Sequence, residues 1–270
     1  MAQTYLLTRE VLPAWLRDKP LVAAMGLFDG VHLAHQALLA AAAKAAADMR
    51  GVLLVYTFDK NPLDVLTPQR APKTLMPLSA RIKAIHPAVS NGGGNDSGTA
   101  ALFIRQFSIL FAQLQPERFI RSFTDTFSPS DIFVGYNYTF GADGRGDVPM
   151  LRELGGKLGF SLSEMLAVKF AGEPISSTRI RREITGGNIE LANAMLGRTF
   201  RVYGTLHDGG AFVPRGNHLL PGDGTYSISD YLISNEARQE KRMVIHKGKV
   251  KLTGMKDKGY MSVGVTRKIS

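Results

Sequence analysis

The sequence predicts an α/β protein with a mainly parallel sheet and a smaller β-rich region at its end. The first observation is an alternation of short apolar runs, typical of buried strands, with stretches of helical periodicity over the first two-thirds of the chain. The second is a change near Arg198, after which short β-like runs are separated by turn-rich pieces. We therefore expect two domains, residues 1–198 and 199–270.

Four strands and six helices are predicted in the first region. The strands are 20–26, 52–58, 101–107 and 131–137, and the helices are 32–49, 79–85, 116–127, 148–159, 178–187 and 188–198. An alanine-rich composition supports the first helix, an early proline the third, and a terminal glycine the fifth. Because strands and helices alternate, the strands should be parallel and covered by helices.

The composition limits the classes of function. The apolar fraction of 44% and the charged fraction of 21% are ordinary for a globular protein. No apolar run approaches the roughly 20 residues of a membrane span, and the first residues lack the features of a secretory signal, so we expect a cytoplasmic protein with no membrane partner. The chain contains no cysteine, which excludes disulfides, thiolate metal sites and cysteine nucleophiles.

The net charge of +10 is concentrated near the end of the chain. Residues 199–270 carry 12 Lys and Arg against 6 Asp and Glu. Such a surplus could attract RNA, but lysines also keep exposed strand edges from pairing. No aromatic-rich RNA-binding motif accompanies the basic run, so a solvated surface is favoured over a nucleic-acid partner.

The segment GLFDGVHLAH, residues 26–35, lies where a strand meets a helix and is a candidate phosphate site. A helix start offers unpaired N–H groups and a positive dipole end. His32 and His35 are three residues apart, so they can reach one polyphosphate as hydrogen-bond donors, or as cations if their pKa rises above about 6.5. Three further residues are predicted to contact the nucleotide: Gly26, Phe28 and Asp29. Zinc binding and incidental polar packing are the alternatives, although zinc helices usually space their histidines four apart around a glutamate.

A second candidate anion site is ISSTRIRRE, residues 175–183, which also enters a helix. Ser176, Ser177 and Thr178 can cap the helix and donate hydroxyls, and Arg179, Arg181 and Arg182 offer forked cationic donors. The alternative is a capped surface helix with solvated arginines. Two anion-seeking segments in one chain indicate a polyphosphate bound by both.

A third segment, VGYNYTFGADGRGD, follows the fourth predicted strand. In open parallel sheets ligands bind beyond the carboxyl ends of strands, so Asn137 is predicted to contact the nucleotide. A generic glycine-rich turn would have a similar sequence.

Four segments, taken in order, resemble the bacterial FAD synthetase family, also called bifunctional riboflavin kinase/FMN adenylyltransferase. They are GLFDGVHLAHQALL, VYTFDKNPLDVL, VGYNYTFGADGRGD and ISSTRIRREITGGNIELANAMLGR, within roughly residues 20–206. The resemblance implies a Rossmann-like parallel-sheet nucleotidyltransferase domain followed by a small, incomplete β-barrel domain. It also implies ATP with Mg²⁺ as co-substrate and FMN as the acceptor of AMP.

The resemblance assigns roles to individual residues. His32 and His35 match the family's paired histidines, and Asn137 matches a nucleotide-site position. Ser177, Thr178 and Arg181 match its second phosphate-binding motif. We therefore expect His32, His35 and Arg181 to be catalytic and Asn137, Ser177 and Thr178 to bind the nucleotide. Phe58, Asn61 and Pro62 belong to the segment that the family uses near the flavin. Two departures concern substrate affinity: Ala34 replaces a usual glycine near the adenine, and Asn61 replaces a usual histidine.

The end of the chain departs further from the family. Residues 199–270 lack the PTAN-like motif of the riboflavin kinase module, so we expect a reduced β domain without kinase activity. The metal ligands and the oligomeric state are left open. Two other functions also stay open: a related nucleotidyltransferase with another phosphorylated acceptor or with CTP, and a non-catalytic protein that binds flavin nucleotide or RNA.

Overall fold

A computed structural model describes residues 3–7, 13–14, 18–90, 99–229, 241–255 and 259–270. The chain forms two compact units. Unit 1 consists of Met1–Phe28, Ala34–Pro72 and Ile82–Val168, and unit 2 consists of Asp29–Leu33, Lys73–Arg81 and Lys169–Ser270. Unit 2 includes two short segments from the early part of the chain, so neither unit is one continuous stretch of sequence. The domain boundary near Arg198 stays a prediction.

Unit 1 contains a six-stranded parallel sheet in the order β1-β4-β3-β2-β5-β6. The strands are β1 (Gln3–Leu7), β2 (Leu21–Met25), β3 (Val52–Phe58), β4 (Thr99–Arg105), β5 (Asp131–Gly135) and β6 (Ser161–Met165). The helices of this part of the chain are α1 (Leu33–Asp48), α2 (Leu63–Leu66), α3 (Leu78–Ser90), α4 (Ile109–Ala112), α5 (Pro116–Phe127) and α6 (Val148–Leu158).

The central strands of unit 1 are buried along nearly their whole length. Every residue of β2 is buried, and so are the first six residues of β3. Continuous apolar strands of this kind are typical of parallel sheets that are covered on both faces. An aromatic cluster adds to the core, since the ring of Tyr56 stacks on Phe103 at 5.3 Å and meets Phe123 edge-on at 5.2 Å. Each such pair contributes roughly 0.5–1.5 kcal/mol beyond its buried area.

Helix α6 shows why the local sequence signals succeed. The Asp147 carboxylate accepts the N–H of Met150 at 2.9 Å, which caps the first turn. Pro149 lies in that first turn, where its missing N–H costs no helical bond. The helix ends at Gly159, whose φ of 81° lies in the left-handed region that favours glycine.

Unit 2 contains a short hairpin, two helices and a closed antiparallel barrel. The elements are β7 (Lys169–Phe170), β8 (Glu173–Pro174), α7 (Ser177–Gly186), α8 (Ile189–Leu196), β9 (Phe200–Leu206), β10 (Ala211–Pro214), β11 (Gly224–Ser229), β12 (Arg242–His246), β13 (Lys249–Thr253) and β14 (Gly259–Lys268). The barrel order is β10-β13-β12-β11-β14-β9, and β10 pairs with β9 to complete the circle. Buried and outward residues alternate along β9, β12 and β13, as the two-residue period of a strand requires.

The predicted fold class is confirmed, because a parallel sheet with helices precedes a small β-barrel. The strand predicted at 52–58 and the helix predicted at 116–127 agree with β3 and α5 to the residue. The circle of six strands is closed, so the barrel itself is complete, unlike the incomplete barrel that the resemblance implies. Among the helices of the described ranges, none has the length and apolarity that crossing a bilayer requires.

Candidate active site

In unit 2, the two predicted anion-binding segments come together. The hydroxyl of Ser177 donates to the backbone carbonyl of Asp29 at 2.8 Å. The guanidinium of Arg181 donates to the Asp29 carboxylate at 2.5 Å. Because Asp29 and Arg181 are 152 positions apart in the sequence, only the tertiary fold of this unit can bring them together.

Asp29 is a buried carboxylate that orients Arg181. It accepts the backbone N–H of Leu75 at 3.2 and 3.1 Å in addition to the Arg181 guanidinium. Arg181 also donates its Nε–H to the carbonyl of Lys73 at 2.7 Å. A guanidinium bound on two sides has a fixed plane, so Asp29 supports a cationic donor. Direct contact between Asp29 and the nucleotide stays a prediction.

His32 is buried directly before α1, in the loop that Asp29 begins. Burial, and after it the positive charges of Arg198 and Arg181, together lower its pKa to about 4. The imidazole is therefore neutral near pH 7 when no anion is bound. Of the two roles that the sequence allows, the structure favours the hydrogen-bond donor over the permanent cation. A bound triphosphate would oppose the two arginine charges and raise this pKa.

The start of α7 is a capped helix N-terminus. The hydroxyl oxygen of Ser176 accepts the N–H of Arg179 at 3.1 Å, which confirms its predicted capping role. The side chain of Arg179 is buried and donates to the carbonyls of Phe170 and Glu173, both at 2.9 Å, so it stabilises the β7–β8 hairpin. Thr178 is exposed in the first turn of the helix.

In unit 1, Gly26 and Phe28 form a packed support for His35. The backbone of Phe28 has a φ of 53° and its ring is buried. That ring meets the His35 imidazole edge-on at 5.3 Å, and a Cβ on Gly26 would lie 3.1 Å from the ring. These residues therefore orient an imidazole by packing, and their predicted contacts with the nucleotide stay predictions.

Asn137 lies in unit 1, two residues beyond the carboxyl end of β5. Its side chain is exposed. This is the end of a parallel strand at which ligands usually bind, so the position agrees with a nucleotide contact.

Unit 1 also contains an apolar cavity of about 660 Å³. Its lining includes Pro62 and several aromatic side chains, among them Phe58, Phe111, Phe119 and Tyr138. Phe58 and Pro62 are the residues predicted to lie near the flavin, and small-molecule sites have volumes of this order. The cavity is therefore a suitable size and chemistry for a planar aromatic ligand.

Asn61 stabilises the wall of this cavity by a local turn. Its side-chain oxygen accepts the N–H of Leu63 at 2.9 Å, and its own N–H donates to the Asp64 carboxylate at 3.1 Å. The short helix α2 follows, and its residues Leu63 and Leu66 line the cavity. The predicted contact of Asn61 with the flavin stays a prediction.

Two parts of the site have no signal in the local sequence. Lys73 and Leu75 act through backbone groups, so their side chains do not mark them. Arg198, which lies at the predicted domain boundary, donates to the carbonyls of Gly30 and Val31. Within the described ranges, no group of three or more His, Asp or Glu side chains is arranged to hold a metal ion.

Comparison with known proteins places these residues in a family context. A family model described as FAD synthetase matches residues 16–179. A bifunctional riboflavin kinase/FMN adenylyltransferase of Bacillus subtilis (strain 168) is 33% identical over 190 residues, covering 70% of this chain and 57% of the relative. The corresponding protein of Pseudomonas fluorescens is 31% identical over 189 residues, covering 70% and 58%. The chain thus spans less than two-thirds of the length of these two relatives.

A solved structure shares the fold over nearly the whole chain. It is described as a macrolide-efflux protein from Streptococcus pneumoniae and is 21% identical, with a TM-score of 0.76. The similarity covers 98% of this chain and 90% of that one. At this identity the likeness concerns the fold alone.

Proposed function

Because the chain belongs to the FAD synthetase family, we propose that it transfers AMP from ATP to FMN, giving FAD and pyrophosphate. The observation that carries the proposal is the assembly of Asp29, His32, Ser177 and Arg181 within unit 2 from two distant segments. This cluster combines a buried imidazole, a helix start and an oriented guanidinium, which are groups that stabilise phosphate charge.

The flavin ring of FMN occupies the apolar cavity of unit 1. Phe58 and Pro62 line this cavity, and its aromatic walls suit stacking or edge-on packing against a planar ring system. The nucleotide contacts Asn137 at the end of β5. Both assignments are supported by the family's use of the matching segments.

The reaction is an in-line displacement at the α-phosphorus of ATP. An oxygen of the FMN phosphate attacks, a bond forms between this oxygen and the α-phosphorus, and the bond to the bridging oxygen of the β-phosphate breaks. Pyrophosphate leaves with the electron pair of the broken bond. Because the nucleophile is already an ionised phosphate, no general base is needed, and catalysis rests on positioning and charge stabilisation.

His32, His35 and Arg181 act on the negative charge that is shared by the α-phosphate and the leaving group. His32 donates a hydrogen bond from a neutral imidazole that becomes easier to protonate as the triphosphate binds. Arg181 supplies a permanent cation that Asp29 and the Lys73 carbonyl have already oriented. Ser177 and Thr178 contribute the start of α7.

Mg²⁺ enters this proposal with ATP. The described residues present no cluster of three metal-binding side chains, and the Asp29 carboxylate is engaged by Arg181 and Leu75. Mg²⁺ commonly retains water and is bound mainly through substrate phosphates. We therefore assign it no ligand in the protein and no step of the reaction. Riboflavin kinase activity is absent in this proposal, since residues 199–270 lack the PTAN-like motif.

Purified protein should be mixed with Mg²⁺, ATP and either FMN or riboflavin, and the flavins separated by chromatography. We expect FAD from FMN and no FMN from riboflavin. A parallel reaction with CTP tests the related nucleotidyltransferase, and salt-sensitive RNA binding without pyrophosphate release would support the non-catalytic alternative.

A double variant, His32→Ala with His35→Ala, tests the catalytic assignment. We expect turnover to collapse with little change in melting temperature, because both imidazoles are assigned to the substrate. His246→Ala is the matched control, since this histidine is exposed on the barrel. If the double variant lost thermal stability in proportion to its activity, the histidines would be packing residues and the assignment would be wrong.

A further inference from the structure

Arg198 connects the end of α8 to the loop that carries His32. Its Nη1 donates to the carbonyl of Val31 at 2.9 Å, and its Nη2 donates to the carbonyl of Gly30. Nη1 also donates to the carbonyl of Leu196, the last residue of α8, at 3.2 Å. One planar guanidinium thus bridges two consecutive peptide groups of the loop, a geometry that the single ammonium of lysine cannot reproduce.

The loop needs such support because its backbone is in an unfavourable conformation. Gly30 has a φ of 84°, which is ordinary for glycine, but Val31 has a φ of 36°. A β-branched side chain in this region costs about 1–3 kcal/mol and persists only where the surroundings impose it. Val31 is completely buried, and His32 follows it directly. The conformation of these two peptide groups therefore sets the position of the imidazole.

Burying the positive charge of an arginine at this position costs desolvation free energy, which suggests that the charge acts on the site. Burial lowers the pKa of Arg198, which shows that its cation is partly removed from water. Two backbone carbonyls could be held by a neutral donor with a smaller desolvation cost. The cation does act on the site, since it is one of the two arginines that lower the pKa of His32.

We propose that Arg198 is a positioning residue for adenylyl transfer, which fixes the backbone of Gly30 and Val31 and thereby the imidazole of His32. The chemical part of this inference rests on the proposed function, and the structural part rests on the geometry of unit 2 alone. Arg198 lies beyond residues 16–179, the part of the chain that the family model matches.

Three variants separate this role from general stabilisation. Arg198→Met removes both the fork and the charge, whereas Arg198→Lys keeps the charge and loses the fork. The matched control is Arg201→Met. Arg201 donates to the carbonyl of Ser262 at 2.5 Å and to its hydroxyl at 3.0 Å, so it makes the same kind of bond to a barrel strand.

For FAD formation, we expect Arg198→Met to lower kcat about 100-fold, the loss that a displacement of about 1 Å can cause. The KM for ATP should change much less, because Arg198 bonds to the loop in this proposal and leaves ATP untouched. Arg198→Lys should lose most of the same activity, which would assign the effect to the fork. Arg201→Met should keep the kcat of the wild type.

Two readouts do not depend on activity. Imidazole NMR titration should show the pKa of His32 rising from about 4 toward its ordinary value in Arg198→Met, and staying low in Arg201→Met. In Arg198→Lys the retained charge should keep the pKa closer to that of the wild type. The amide of Leu75, which donates to Asp29 in the same loop, should exchange faster in both Arg198 variants.

The outcomes distinguish the two proposals. If the wild type makes no FAD, the proposal of adenylyl transfer is wrong. The structural role of Arg198 still stands if the pKa of His32 changes in Arg198→Met, the exchange of the Leu75 amide changes in both Arg198 variants, and neither changes in Arg201→Met. If Arg198→Met and Arg201→Met lower kcat equally, or if the pKa of His32 and the exchange of Leu75 stay as in the wild type, the positioning role is overturned. Should Arg198→Met not fold, Arg198→Lys decides the question by kcat and by the exchange of the Leu75 amide, because its retained charge leaves the pKa of His32 uninformative.

Discussion

Replacing Asp29 with Asn tests how much of the site depends on one buried ion pair. The Asp29 side chain is 6% exposed and that of Arg181 is 15% exposed, and their charged atoms lie 2.5 Å apart. Asn has nearly the same shape as Asp, so the change removes the negative charge with little effect on packing. Arg181 then keeps its positive charge in a buried position without a carboxylate opposite it.

The expected loss of unfolding free energy is about 3 kcal/mol, because breaking a buried pair costs about 3–5 kcal/mol and the Asn oxygen can still accept one hydrogen bond. For a chain of this size, that loss corresponds to a melting temperature lower by about 6–12 °C. Urea denaturation and calorimetry measure both quantities. Turnover should also fall, since Arg181 loses the partner that orients it.

Asp48→Asn is the matched control for this experiment. Asp48 and Lys44 are 2.6 Å apart, nearly the same separation, but their side chains are 62% and 69% exposed. Removing this pair should change the stability by less than about 0.5 kcal/mol. Equal losses for the two variants would refute the reasoning, since burial would then not decide the strength of the pair.

A double-variant cycle adds an independent check. Arg181→Met alone leaves the Asp29 carboxylate buried with the Leu75 N–H as a remaining donor. Combining it with Asp29→Asn removes both charges, so the double variant should lose less stability than the two single losses added together. The expected difference is about 0.5–3 kcal/mol, the range for groups in direct contact.

Three further predictions follow from other parts of the structure. His32 and His218 both have a pKa near 4 because they are buried, so protonation of either imidazole favours the unfolded chain. The free energy of unfolding should therefore fall by about 3 kcal/mol for each histidine as the pH drops from about 6.5 to about 4. Phe58→Ala should remove about 1.4 kcal/mol of binding free energy between the ring and FMN, which raises the KM for FMN about tenfold. The KM for ATP should stay nearly unchanged. Gly26→Ala should cost about 1–3 kcal/mol of stability and lower kcat, because the new methyl group meets the Phe28 ring.

Each of these predictions has a control. His218→Gln keeps a donor for the Arg201 carbonyl and removes the titration, so urea denaturation at pH 7 and pH 4 should show a smaller loss than in the wild type. An equal acid loss in both proteins would argue against burial as its cause. Leu110→Ala changes an exposed side chain outside the cavity lining and should leave the KM for FMN unchanged. For Gly26→Ala, Gly156→Ala adds a methyl group that meets no atom within 4 Å and should not lower stability.

Elements with a strong local signal could be predicted from the sequence, and elements held by distant contacts could not. Strand β3 was predictable because it is one continuous apolar run, and helix α5 because it begins at a proline and is amphipathic. In both cases the local sequence marks where the element begins and ends. Strand β6 lies at the edge of the sheet and contains only exposed and half-buried residues, and its sequence has no apolar run. The hairpin β7–β8 has only two residues in each strand.

Helix α3 shows how tertiary packing overrides a local stop signal. The sequence predicts a helix at 79–85, and the structure continues it through Pro87 to Ser90. A proline inside a helix removes one hydrogen bond and usually ends or bends it. Here Ala88 and Val89 are buried beyond the proline, and this burial favours the longer helix.

In the candidate site too, residues with a local sequence signal could be predicted and bonds between distant residues could not. The His32 and Ser176–Arg181 segments were recognisable because capping residues and forked cations have local signatures. The bonds that orient them were not recognisable, since Arg198 reaches carbonyls 167 and 168 positions away. Asn61 has a role that motif matching does not reveal, because its side chain starts a local turn. Its predicted contact with the flavin stays a prediction.

The last strand of the barrel has two neighbours. Strand β14 pairs with β11 on one side and with β9 on the other. A truncation within β14 would expose the unpaired backbone donors and acceptors of β11 and of β9. Exposed strand edges pair with strands from other copies of a chain. We expect proteins shortened within β14 to self-associate and precipitate, even though the parallel sheet and the cavity of unit 1 lie outside the deleted residues.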